Sequence, residues 1–231
     1  MRVTNQTFFV ILILGVMLID GCEQPAQKTI TEQSQDFAKE ELQQLLKKSS
    51  EISVFDISYK MQMTVLDKNL FDITTRQIKQ GNNQKLDSYG TVLGFQVSTT
   101  SVMTGGRQVT CGIFDNKWEC SAGSQVCKET PKGKLCQSVS QEGFPNIKPE
   151  QLKDADVTKA GIKQLLGMSL QCYNLKTKQS GQEALMEVCI NQDGLIILLQ
   201  SEAKGAQVKI EAKSFSTAIY PNAFELPAQL G

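Results

Sequence analysis

The chain has 231 residues, 40% of them hydrophobic and 21% charged, enough for one large domain or two small ones with a real core. Lys+Arg and Asp+Glu balance at 24 each, so no global basic field exists to hold nucleic acid or an anionic membrane surface. There is no histidine, which excludes Ser-His-Asp and Cys-His catalysis within the chain and His-ligated zinc or copper.

The chain opens "MRVTNQTFFVILILGVMLIDGC", with an unbroken apolar run from Phe8 to Ile19. That run is short of the ~20 residues of a membrane span and fits a signal-peptide core. Gly21-Cys22 closes it and resembles a lipobox, in which the cysteine becomes the acylated first residue of the mature protein, here with palmitate as the expected kind of chain. Asp20 departs from the small or apolar residue usual before the glycine. An uncleaved anchor and ordinary secretion are the alternatives, and all three place the rest of the chain outside the cytoplasm. Residues 1–21 are therefore expected to be a signal peptide and 22–35 a lipidated Cys22 with a polar tether. Residues 36–231 are expected to form a single domain.

"FAKEELQQLLKK" (37–48) puts Phe37, Leu42 and Leu45-Leu46 on helical spacing, with Ser34 or Asp36 as the cap. In "VFDISYKMQMTVLD", Phe55, Ile57, Tyr59, Met61, Met63 and Val65 alternate with polar residues, which predicts a long strand with one apolar face. Its antiparallel partner is expected at 71–78, with the turn at 67–69. Strands at 86–89, 92–99 and 108–114 continue the meander.

Apart from Cys22 there are six cysteines, Cys111, Cys120, Cys127, Cys136, Cys172 and Cys189, an even number that predicts three disulfides in an exported domain. In "CGIFDNKWEC" a turn at Asp115-Asn116 pairs Phe114 with Lys117, Ile113 with Trp118, Gly112 with Glu119 and Cys111 with Cys120. The last is a non-hydrogen-bonded pair, with Cα atoms ~4.5 Å apart and within disulfide range. The same parity joins Cys127 to Cys136 about Pro131-Lys132, and Cys172 can meet Cys189 across Ser180-Gly181. Cys111–Cys136 with Cys120–Cys127, symmetric about Gly123-Ser124, remains an open alternative to the local set. No C-x-x-C pair is present, so zinc-ribbon and thioredoxin-like spacings are missing.

Pro149 allows a short helix within 146–155. Strands are expected again at 168–175, 184–190, 195–202 and 207–218, with turns at 191–194 and 204–205. The whole reads as one antiparallel sheet with a few helices, an α+β single domain.

In order, the lipobox-like start, the early helix, the alternating strand 55–65, the Cys111…Trp118-x-Cys120 hairpin, Cys172-Tyr173, "VCINQDGLIILL" and the closing "YPNAFELPA" resemble prokaryotic, especially archaeal, lipoproteins with a LolA/LppX/LprG-like fold. The resemblance implies a strongly curved antiparallel sheet, an incomplete β-barrel, with a few helices covering its concave side, an apolar cavity between sheet and helices, and a lipid or acyl-chain ligand. It makes Phe55, Ile57, Tyr59, Met61, Met63 and Val65 the candidate ligand-binding residues, with Met61 and Met63 pliable enough for varied chains. The strand pattern alone reads as core packing against the helix at 37–48.

The function expected is that of an extracytoplasmic lipoprotein, held to the membrane by its N-terminal lipid or anchor and carrying a lipid-like ligand. The alternative is an envelope structural or interaction protein with a filled core. No catalytic residue, metal ligand or cofactor is predicted. The chain lacks a G-x-S-x-G elbow and a phosphate loop, and no nucleic-acid partner is expected.

Overall fold

The structure is a computed structural model that describes residues 30–130, 133–138, 145, 147, 152–179, 182–203 and 205–228. Helix α1 spans Ile30–Glu51 and leads into β1 (Val54–Val65). A meander follows: β2 (Lys68–Gln80), β3 (Asn83–Val92), β4 (Phe95–Thr104), β5 (Arg107–Phe114) and β6 (Lys117–Ala122). A separate hairpin, β7 (Gln125–Thr130) and β8 (Gly133–Ser138), comes next. A second meander runs through β9 (Asp156–Leu165), β10 (Met168–Gln179), β11 (Gln182–Ile190), β12 (Ile196–Ala203) and β13 (Ala206–Ser216). β13 returns to pair with β1, giving one open, curved antiparallel sheet of eleven strands in the order β6-β5-β4-β3-β2-β1-β13-β12-β11-β10-β9.

This corrects the expected α+β class. Among the described residues there are thirteen strands and one helix, so a few helices do not cover the sheet. One cause is physical. Residues 156–165, not expected as regular structure, form a whole edge strand. The helix anticipated within 146–155 falls largely outside the described residues. Cover comes instead from α1, from Ile147, Leu152 and Ala155, and from the β7–β8 hairpin.

α1 turns Ala38, Leu42 and Leu46 onto the sheet at i, i+4, i+8 spacing, all three buried. Phe37, expected inward, is 63% exposed and lies under Lys159 Nζ, 5.1 Å from the ring centre. The small Ala38 takes the inner position and lets the helix approach closely. The helix begins at Ile30, so the last part of the expected tether is helical. Near its C-terminal end it rests on the β11–β12 turn. A Cβ on Gly194 (φ +87°) would lie 2.0 Å from Leu45 O, so only glycine permits the contact. Lys48 Nζ donates to Gln192 O at 2.7 Å, and Asn191 Oδ1 accepts from the amides of Asp193 and Leu195.

The core lies between α1 and one face of β1 and β9–β13. Ile57, Tyr173, Val188, Ile190 and Ile197 are fully buried there.

Candidate functional site

β1 carries the candidate ligand residues, and the structure divides them into two groups. Phe55, Ile57, Tyr59 and Met61 are sealed in the core beside Leu42 and Leu46. The Tyr59 hydroxyl donates to Ile196 O at 2.9 Å, and burial pushes its ionisation far above the ordinary range, so it stays neutral. Met63 and Val65 are only half-buried.

Met63 faces Phe71 on β2, Phe71 faces Val92 on β3, and Val92 faces Phe95 on β4. On the other side Met63 faces Val208 and Val65 faces Ala206. Directly opposed residues share a face of an antiparallel sheet, so these side chains form one apolar row across five strands. Val92, Val208 and Met186 pack on the edge of the sealed core. Phe95 at 75%, Leu66 at 76% and Leu93 at 61% exposure stand at the hairpin tips beside it. The result is a half-open apolar shelf continuous with the core.

The opposite face carries a second feature, which sequence reasoning did not find. Ser58, Arg76, Asp87, Thr100, Cys111 and Cys120 face one another in turn across β1 to β6. In the adjacent row stand Thr74, Tyr89 and Ser98, with Trp118 two residues before Cys120 on β6. With Asp56, Ser214 and Ser216, these residues other than the two half-cystines line an open groove of about 570 Å³. Arg76 makes a two-pronged contact with Asp56, Nε to Oδ1 at 2.9 Å and Nη2 to Oδ2 at 2.5 Å. Those hydrogen bonds, then the charges of Asp56, Asp87 and Tyr220, raise the Arg76 pKa above its usual value against the opposing effect of burial. Thr100 Oγ1 donates to Asp87 Oδ1 at 2.7 Å. The signal in the sequence was the polar half of the β1 alternation, but its meaning depends on registers that bring distant strands together.

The hairpin register foreseen for "CGIFDNKWEC" is the one found, from Phe114 opposite Lys117 to Cys111 opposite Cys120. Asp115 (φ 48°) and Asn116 (φ 62°) take the left-handed turn conformation. Disulfides join Cys111–Cys120, Cys127–Cys136 and Cys172–Cys189, each with Cα atoms 4.0 Å apart. The local set therefore forms. Cys172, Glu187 and Cys189 place three potential ligand atoms within 4.8 Å of one another, but both sulfurs are joined in the disulfide and offer no thiolate. The β7–β8 hairpin seats against the opposite side of β5. Val126 and Gln137 approach so closely that a Cβ on Gly112 would lie 3.0 Å from one and 2.3 Å from the other. Lys128 Nζ ties the hairpin to Glu119 (2.8 Å) and Asp115 (3.0 Å).

Cys22, the signal-peptide segment 1–21 and the expected turns at Pro131-Lys132 and Ser180-Gly181 lie outside the described residues. Among the described residues no helix is long and apolar enough to cross a membrane. Three disulfides in the folded chain fit an oxidising, extracytoplasmic compartment.

The chain matches no family model and no curated protein. Among solved structures it is similar to lipoprotein LppX from Mycobacterium tuberculosis, at 11% identity over 81% of this chain and 99% of that one, with a TM-score of 0.49. It is also similar to LprF from Mycobacterium bovis, at 12% identity over 80% and 98% of the two chains and a TM-score of 0.46. The LolA superfamily protein NE2245 from Nitrosomonas europaea is 10% identical over 80% and 97%, with a TM-score of 0.36.

Proposed function

We propose that this chain is an exported, membrane-tethered, non-enzymatic binding protein that holds a lipid-like ligand on the apolar shelf of its sheet. The observation that carries the reading is the half-open row Met63–Phe71–Val92–Phe95, flanked by Val208. Soluble proteins seldom leave such contiguous apolar surface uncovered unless something binds there. Met63 and Val65 would meet the ligand first. Phe55, Ile57, Tyr59 and Met61 would join the site only if α1 lifted from the sheet. The tether is proposed at Cys22, on the strength of the apolar run 8–19 and the Gly21-Cys22 that closes it.

The sealed packing of Phe55, Ile57, Tyr59 and Met61 favours a second reading, an envelope interaction protein with a filled core. One experiment separates the two. The full-length protein is purified from its own membranes in a mild detergent, its bound lipids are identified by native mass spectrometry, and a fluorescent C16 fatty acid is titrated into it. The ligand reading expects co-purifying lipid and a saturable signal that Met63→Asp weakens at least tenfold while the far-UV spectrum is kept. No lipid, no saturable signal and a crosslinked protein partner would favour the second reading.

A further inference from the structure

The groove on the opposite face is independent of the apolar shelf, and its chemistry is of another kind. Its volume of about 570 Å³ lies within the roughly 300–1,000 Å³ typical of small-molecule sites. Its floor mixes three hydrogen-bonding types. Asp56 and Asp87 are acceptors only, Arg76 is a donor only, and the hydroxyls of Ser58, Thr74 and Ser98 can do either. Two aromatic side chains, Tyr89 at 56% exposure and the half-buried Trp118, lie along one row at its β3 and β6 sides.

The charges nearly cancel. Arg76 is matched by Asp56, and Asp87 has Lys85 Nζ at 3.8 Å. A phosphate or other anion would find no surplus cation here, because the one guanidinium on the floor is already engaged by a carboxylate. A wholly apolar ligand would strand the carboxylates and the guanidinium away from water, which is costly.

One chemical class matches this inventory. Each hydroxyl of a neutral sugar both donates and accepts, so a floor of acceptor-only, donor-only and two-way groups can satisfy a ring edge. The C–H face of the same ring is apolar and flat enough to lie on Trp or Tyr. We propose that the groove between Trp118 and the Asp56–Arg76 pair is a binding site for a neutral saccharide, such as a segment of envelope glycan.

The Cys111–Cys120 disulfide gains a role in this site. Trp118 stands on β6, the strand at the sheet edge, two residues from Cys120, which ends the cross-strand row that runs on beyond the groove from Thr100 through Cys111. The brace holds that edge, and the Trp118 rim with it, in register with Arg76 and Asp87.

The chain contains a single tryptophan, so its intrinsic fluorescence reports on this groove alone. Full-length protein in detergent is titrated with maltohexaose, cellohexaose and N-acetylchitohexaose, with sodium phosphate as the anion control. The expected result is a saturable change in Trp118 emission with at least one saccharide and none with phosphate. For that saccharide, calorimetry should show at least a tenfold loss of affinity in Asp87→Asn and in Trp118→Ala, with Trp118→Tyr retaining most of it. The variants are compared only where the melting curve stays cooperative. A flat response to all three saccharides, saturation by phosphate, or binding indifferent to both Asp87→Asn and Trp118→Ala would overturn the proposal. Acyl-chain binding on the shelf is read with its own probe, so failure at one face is distinguishable from failure at the other.

Discussion

One face of the sheet is built in two different ways. Over β1 and β9–β13 it is apolar and lies under α1, with Ile57, Tyr173, Val188 and Ile197 fully buried. Over β2–β5 the same face carries a patch of small hydroxyl residues beyond the apolar row of Phe71, Val92 and Phe95. Thr75, Ser101 and Thr110 are buried there, and Ser88 is half-buried. These residues bond to one another across the ladder: Thr75 Oγ1 to Ser88 Oγ at 3.2 Å, Gln108 Nε2 to Ser101 Oγ at 2.8 Å, and Thr110 Oγ1 to Ser101 Oγ at 3.3 Å. The difference follows from what covers each part. A helix that brings leucines can exclude water, so the strands beneath it must be apolar. Where no helix lies, buried hydroxyls are tolerated because neighbours in register satisfy them.

The largest effect should come from the helix-backed half. Leu42 is 0% exposed at the middle of the inner stripe of α1. Leu42→Ala removes apolar burial and leaves a cavity that the flanking strands can only partly close, a loss of about 2–5 kcal/mol. Urea unfolding followed by far-UV circular dichroism should show that loss as a lower midpoint. A matching truncation on the groove face, Ser98→Ala, should stay within about 0.5 kcal/mol of the parent, as expected away from a packed core. Equal losses at the two positions would mean that α1 does not organise the fold.

The same contrast explains what was legible in the sequence. The β1 alternation and the "CGIFDNKWEC" register could be read because each depends only on neighbours in the chain: a period of two, and a turn pair tolerant of positive φ. β9 could not. In "DVTKAGIKQL" only Val157 is buried and the remaining side chains are half-buried or exposed, so an edge strand dotted with Lys159 and Lys163 carries no alternation. The lysines suit an edge that must not pair with another chain. Phe37 was misplaced because hydrophobicity outranked size, whereas close helix packing favoured Ala38. The groove was invisible because Asp56, Arg76, Asp87 and Trp118 lie on four strands whose alignment only the ladder sets. The split within β1 was equally hidden, since nothing in the alternation says where α1 ceases to cover it.

The hydroxyl half should depend more on its covalent brace. Among the described residues no helix clamps β5 to β6, and the Cys111–Cys120 link closes a short loop at the sheet edge. Replacing both cysteines by serine should cost about 2–3 kcal/mol by the chain-entropy account. Thermal unfolding of the double variant measures the cost, with the Cys172–Cys189 double variant as the comparison in the helix-backed half. The Cys111/Cys120 variant should also let Trp118 move, which a rise in its quenching by acrylamide would report. Unchanged quenching together with an unchanged melting curve would show that hairpin register alone holds the edge.

A smaller effect than that of the brace tests whether the hydroxyl ladder stabilises the protein or is merely tolerated. Thr110 is fully buried, and its Oγ1 lies 2.6 Å from Gly123 O and 3.3 Å from Ser101 Oγ. A hydroxyl has one proton, which goes to the carbonyl at the shorter distance, so Ser101 is free to donate back to Thr110. Thr110→Val keeps the shape but leaves the Gly123 carbonyl and the Ser101 hydroxyl without this partner, a loss of about 1–2 kcal/mol. Thr110→Ser keeps the hydroxyl and gives up only a methyl group, about 1 kcal/mol in a packed site. The two variants therefore separate polarity from packing: urea midpoints should fall further for valine than for serine. The reverse order would mean that β5 is held by apolar contact after all, and that the two halves of this face differ in composition but not in what stabilises them.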